Sequence, residues 1–123
     1  MISFDVYAPE PQPGAAPVGR SLKFQIDTGS SRTAIREGAV DFSTLPISRV
    51  NQYRGVGAAG NSNMYWSTLK YKPDMPGFTT EIARLPLPGM EGVTDGLLGM
   101  DIMRAFELIV DTPSGIVKLN RWK

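Results

Sequence analysis

The chain contains no cysteine and no histidine. Without a thiol or an imidazole it cannot assemble a Ser-His or Cys-His nucleophile, a thiolate zinc site or an imidazole acid-base. Whatever chemistry it performs therefore falls to carboxylates, and no metal or cofactor is expected. The absence of cysteine also leaves the redox compartment unreadable from disulfides. Long apolar runs are missing as well: no stretch reaches the roughly 18 residues of a membrane-spanning helix. The opening Met1-Ile2-Ser3-Phe4-Asp5 lacks the basic start and the unbroken apolar stretch of an export signal. Neither membrane insertion nor export by an evident signal is expected. Charge of one sign is scarce too. Thirteen basic and 12 acidic residues leave a formal charge of +1, with no block of like charges to track a phosphate backbone or an anionic membrane, so nucleic acid is not an expected partner.

What is present suits a folded unit. With 123 residues, 41% hydrophobic and 20% charged, residues 1–123 make one domain with a modest core and no room for a second catalytic domain. Residues 2–7 alternate as a short strand. Residues 8–20 carry prolines at 9, 11, 13 and 17 and glycines at 14 and 19, the composition of a surface hairpin connection, although a linker or processing site has the same look. Ser21 to Ile26 alternates again, with Leu22, Phe24 and Ile26 on one face. Residues 51–71 read as two strands about a glycine-rich tip, and residues 79–85 as another strand. A short helix is expected from Asp101, as N-cap, through Glu107, with Ile102 and Phe106 on one side. Strands at 108–110 and 116–119 then close a hairpin through Asp111-Thr112-Pro113-Ser114-Gly115. Many short strands, one helix and no internal repeat or βαβ rhythm predict an all-β, mostly antiparallel domain.

The chemistry centres on Asp27-Thr28-Gly29-Ser30-Ser31, which directly follows the strand ending at Ile26. A carboxylate, a hydroxyl and a glycine at a strand end suit a tight loop that another backbone can approach closely. Alone, Asp-Thr-Gly also makes a plain turn. A second element, Asp95-Gly96-Leu97-Leu98-Gly99-Met100-Asp101, places an apolar pair and a glycine just before the helix. Gly55-Val56-Gly57-Ala58-Ala59-Gly60 fits the dinucleotide-binding pattern letter for letter, with Glu81 downstream as a ribose-binding acid. Its context fails, because the polar run from Ser48 to Arg54 is a poor buried strand and Asn61-Ser62-Asn63 a poor helix start. A mobile hairpin tip fits those glycines better. Tyr53, Tyr65, Trp66 and Tyr71 flank that tip, where they either line substrate pockets or pack a sheet face. Asp111-Thr112-Pro113 has proline where a second catalytic motif needs glycine, and is a turn.

Taken together, the strand entering Asp27-Thr28-Gly29-Ser30, the glycines of Gly55-Val56-Gly57 and the apolar pair of Leu97-Leu98-Gly99 resemble, in order and rough spacing, the retropepsin-like aspartic proteases. The likeness covers nearly all of residues 21–119. It implies an acid-protease half-barrel with one lobe per chain, active as a homodimer on an extended peptide or polyprotein. By that resemblance Asp27 is the catalytic aspartate and the Thr28 hydroxyl grips across the dimer. Gly29 lets the substrate backbone pass, with Ser30 completing the active-site loop. Gly55, Val56 and Gly57 form the flap, and Leu97, Leu98 and Gly99 support the loop from behind. Viral members usually carry an acidic residue near Ser31 and an arginine where Met100 stands. Both are absent here, which places the chain nearer the cellular, bacterial or retroelement branch, intracellular or released from a precursor. Two other classes stay open: a catalytically silent peptide-binding or dimerisation module with the same fold, and a glycosidase-like enzyme pairing carboxylates within one chain.

Overall fold

A computed structural model describes residues 2–55, 58–72 and 75–121; the side chains of residues 51–55, 58–62 and 121 are not described. The elements are β1 (Ile2–Tyr7), β2 (Gly19–Ile26), β3 (Ala34–Arg36), a 3-10 turn (Phe42–Thr44), β4 (Ile47–Gly55), β5 (Ala58–Lys70), β6 (Phe78–Leu85), β7 (Gly96–Leu98), α1 (Met100–Met103), β8 (Phe106–Asp111) and β9 (Ile116–Arg121). The protein is mostly strand with one short helix, as its composition and alternation imply. Seven strands form one sheet in the order β1-β2-β7-β3-β6-β5-β4, and β1 also pairs with β5, so that all of these except β4 close into a barrel-like ring. Most ladders are antiparallel, but β2 with β7 and β3 with β6 are parallel.

Period-2 patterning builds the core. Ile2, Phe4 and Val6 of β1 point inward beside Leu22 and Phe24 of β2, and Tyr65, Leu69, Ile82, Leu98 and Ile102 fill the interior. Phe106 plugs one end. Its ring meets Phe78 at 5.3 Å, Tyr71 at 5.9 Å and Phe4 at 6.3 Å between centroids, all edge-on. The proline-rich stretch joins two antiparallel strands, so it is the hairpin connection. The β1–β2 ladder slips between Phe4 and Val6, and there Ser21, at φ 49°, donates its N–H to Asp5 Oδ1 at 2.7 Å. The carboxylate satisfies the donor left over by the bulge.

Three elements depart from the sequence reading. β3 and β7 have only three residues each, too few for alternation to register, and both are set by pairing on either side. The helix covers Met100–Met103 rather than residues 101–107, and its N-cap is Gly99, with no side-chain cap. Asp101 is spent elsewhere, as shown below, and burying Phe106 against the aromatic cluster draws the chain into β8 instead of a second helical turn.

β8 and β9 form a separate two-stranded sheet. Leu108 pairs with Leu119 and Val110 with Val117, which puts all four on the face of Phe106. Phe106 and Leu119 reach the core, while Leu108 and Val110 remain 38% and 56% exposed. No helix among the described residues is long and apolar enough to cross a membrane.

Gly96 lies in the middle of the ring, where a Cβ would run into the Ala34 carbonyl oxygen and come within 2.7 Å of the Phe24 ring. Gly96→Ala is therefore expected to destabilise the fold by about 1–3 kcal/mol, read as a lowered urea midpoint at unchanged slope.

Candidate active site

β7 pairs parallel with β2 on one side, Ile26 opposite Leu98, and antiparallel with β3 on the other, Ala34 opposite Leu97. The segment from Asp27 to Thr33 must therefore cross over the C-terminal end of β7 to get from β2 to β3. Beneath it the chain leaves β7 and turns into α1. Two of the sequence-identified groups, Asp27 to Ser30 and Leu97-Leu98-Gly99, thus meet in one place.

The crossing segment is fastened by backbone. Asp27 N–H donates to the Leu98 carbonyl at 3.0 Å, and Met100 N–H donates to the Ser30 carbonyl at 2.8 Å. The loop closes on itself through Ser30 N–H to the Asp27 carbonyl at 3.1 Å. Ser30 Oγ donates to the Arg32 carbonyl at 2.7 Å. Leu98 is fully buried in the core, and Gly99 is buried directly under the loop, where a Cβ would overlap the backbone carbonyl of Arg32 and lie 2.9 Å from its nitrogen. Leu97 is half-buried. Residues 97–99 thus lie beneath the Asp27–Ser30 segment, joined to it through the Leu98 carbonyl and the Met100 N–H.

Asp27 is half-buried, and Thr28 and Gly29 are exposed. One carboxylate oxygen of Asp27 accepts the Gly29 N–H at 3.2 Å. The other acids nearby are committed: Asp95 takes the Lys23 N–H at 2.8 Å and Arg36 at 3.4 Å, and Asp101 takes three donors from Thr33 and α1. Thr33 escaped the sequence reading, and Asp101 entered it only as a helix N-cap. The usable signal was a hydroxyl six residues after Asp27 and an acid two residues after the Leu-Leu-Gly turn, which only the crossing brings together.

Gly29 behaves unlike Gly96 and Gly99. Its φ lies outside the left-handed region, and a Cβ there would meet only Asp27 Oδ1, at an ordinary 3.5 Å. Nothing among the described residues requires glycine at this position. The space it keeps clear is next to the carboxylate.

β4 and β5 flank the expected flap tip. β5 pairs with β6 only from Met64 to Leu69, whereas its ladder with β4 continues out to Gly55 opposite Ala58. Among the described residues, the outer parts of the two strands, Val50 to Gly55 and Ala58 to Asn63, have ladder partners only in each other. Of the expected flap residues, Gly55 ends β4, and Val56 and Gly57 lie outside the described residues. An antiparallel hairpin is not the strand-turn-helix that a dinucleotide fingerprint needs, and Glu81 is engaged by Arg49 at 2.8 Å. Tyr65 is buried against Phe42, centroids 4.8 Å apart, and Tyr71 packs on Phe4 at 5.4 Å, so both serve the core. Trp66 is 39% exposed, and the side chain of Tyr53 lies outside the described residues. Among the described residues no three His, Cys, Asp or Glu side chains gather as a metal site.

No family model matches the chain, and no curated protein matches it.

Because Gly29 is free of packing demands, Gly29→Ala is expected to change unfolding free energy by no more than about 0.5 kcal/mol, in contrast to Gly96→Ala. Urea denaturation of the two variants side by side measures this; a matching loss in both would show that the fold itself needs Gly29.

Proposed function

We propose that the chain is an aspartic endopeptidase of the retropepsin-like type, active as a homodimer in which Asp27 of each copy contributes to one site. The observation that carries this reading is the Asp27-Thr28-Gly29 loop. It is anchored by backbone at both ends to the β7–α1 turn, and it holds a carboxylate bonded only to its own loop among the described residues, beside a glycine that no described residue requires. Such a glycine suits a backbone passing from outside, either substrate or a second copy.

A single carboxylate is a poor catalyst of amide hydrolysis. Two held together cannot both ionise, and they share a proton. The ionised member takes a proton from a water, whose oxygen attacks the scissile carbonyl carbon while the protonated member gives its proton to the carbonyl oxygen. Collapse of the tetrahedral intermediate then breaks the C–N bond as the amine leaves with a proton. With one Asp-Thr-Gly in the chain, the second carboxylate comes from a two-fold related copy, whose Thr28 hydroxyl grips the first. Support for such pairing lies in the β8–β9 sheet, which offers uncovered Leu108 and Val110 together with strand edges that have no partner among the described residues. The peptide lies extended beneath the β4–β5 arm, adding its backbone as a strand. Gly55, Val56 and Gly57 act as the flap tip.

Incubation with a broad peptide library, with and without a transition-state-mimicking aspartic protease inhibitor, tests the reading. Inhibitor-sensitive cleavage is expected, and a dimeric protein that cleaves nothing would be the silent module instead. Asp27→Asn keeps the side-chain shape but cannot share a proton, so hydrolysis is expected to fall below about a hundredth of wild type with the fold intact.

Paired carboxylates titrate as a unit, and only the singly protonated pair supplies both a base and an acid. Activity is therefore expected to follow a bell with its maximum at about pH 4–6. A rate that keeps climbing to about pH 8, in protein shown by sedimentation to be dimeric throughout, would exclude the shared proton.

A further inference from the structure

We infer that Thr33 and Asp101 are positioning residues for Asp27, acting through the Leu98–Gly99 peptide unit. This rests on the endopeptidase reading for its effect on rate, but the geometry stands by itself. The carbonyl of that unit accepts the Asp27 N–H at 3.0 Å. Its N–H, on Gly99, donates to Thr33 Oγ1, also at 3.0 Å. A peptide unit is planar, so fixing the direction of the N–H fixes the direction of the carbonyl opposite it. The Thr33 hydroxyl therefore orients the acceptor that holds the backbone of Asp27.

Asp101 sets the polarity of that hydroxyl. Thr33 Oγ1 donates to Asp101 Oδ1 at 2.7 Å, which turns its lone pairs toward the Gly99 N–H. Asp101 Oδ2 accepts the Thr33 N–H at 3.1 Å, and Oδ1 also accepts the Ile102 N–H at 2.9 Å. The carboxylate thus locks the far end of the crossing segment to α1, while Met100 N–H holds its middle through the Ser30 carbonyl. Thr33 is completely buried, so water cannot replace a lost partner. α1 has no side-chain cap because its N-cap is Gly99, and Asp101, inside the first turn, divides its oxygens between the Ile102 N–H and Thr33.

Thr33→Val keeps the shape and removes both functions of the hydroxyl. The Gly99 N–H loses its acceptor, the peptide unit is free to tilt, and Asp27 moves with it. The expected result is a fall in kcat of about a hundredfold, since displacements near 1 Å cost that much, with KM within about threefold of wild type. Thr33→Ser restores the hydroxyl and is expected to recover kcat to within about threefold. Equal kcat in Thr33→Val and wild type, or equal losses in the Val and Ser variants, would overturn the inference. Should Thr33→Val not fold, Asp101→Asn serves in its place. An amide offers one acceptor oxygen where the carboxylate satisfies three donors, so one N–H is left facing an NH2 group.

A second readout separates this inference from the enzymatic reading. In the full chain, exchange of the Asp27 amide hydrogen, followed by NMR, is expected to quicken about tenfold or more in Thr33→Val or Asp101→Asn relative to amides of β1. If wild type cleaves no peptide but the variants show that acceleration, the protease reading falls and the positioning device stands. Unchanged exchange removes the positioning device whatever the activity.

Discussion

The peptide unit between Leu98 and Gly99 faces two ways, toward Asp27 with its carbonyl and toward Thr33 with its N–H. It can do so because β7 is inserted between β2 and β3, parallel to one and antiparallel to the other, and ends just where the Asp27–Thr33 segment passes over it. Removing the insertion would leave Asp27 at the end of a strand with no second point of support. The tight fit of Gly96 and Gly99 against Ala34, Phe24 and Arg32 shows how little room that insertion has. Glycine serves there for close approach of backbones and not for an unusual φ.

Several acidic side chains hold the fold, and Asp27 is not among them. Asp5 takes the donor of a bulge, Asp41 caps the 3-10 turn through Ser43 N–H at 3.1 Å, Asp95 clips β2 and β3 at the entrance to β7, and Asp101 secures Thr33. The Ser43 hydroxyl, followed by its backbone N–H, holds the Asp41 carboxyl below the usual range, and the Arg49 guanidinium does the same for Glu81. Folded-state values below the unfolded ones mean that these contacts stabilise the native chain above the ordinary carboxylate range. Their contribution fades as pH falls through the lowered values. Both groups thus remain ionised and bonded somewhat into acid, the side on which a proton-sharing carboxylate pair works. Asp27, by contrast, accepts one N–H among the described residues, from its own loop.

The same division runs through the apolar residues. Phe4, Phe24, Tyr71, Phe78 and Phe106 interlock into the aromatic end of the core, and this cluster ends α1 after one turn by drawing Phe106 into β8. The hairpin that follows continues the apolar face beyond the ring. Leu119 is buried there while Leu108, opposite it, is not. A sheet of two strands with apolar residues on an uncovered face is marginal by itself.

Much of this was legible in the residues alone. Alternation marked β1, β2, β6 and the terminal hairpin, since inward and outward positions differ in polarity whenever one face is buried. The absence of histidine and cysteine pointed to carboxylates because side-chain chemistry offers no other acid-base group near neutral pH. Asp27-Thr28-Gly29 and Leu97-Leu98-Gly99 stood out as loop and support. Only the tertiary structure decided that β3 and β7 are strands, because three residues carry no period and their pairing comes from partners far away in sequence. It also decided what Asp101 does. Local spacing made it a helix cap, but a carboxylate binds the donors that reach it best, and the chain crossing delivered Thr33, from 68 residues away, with two donors at once.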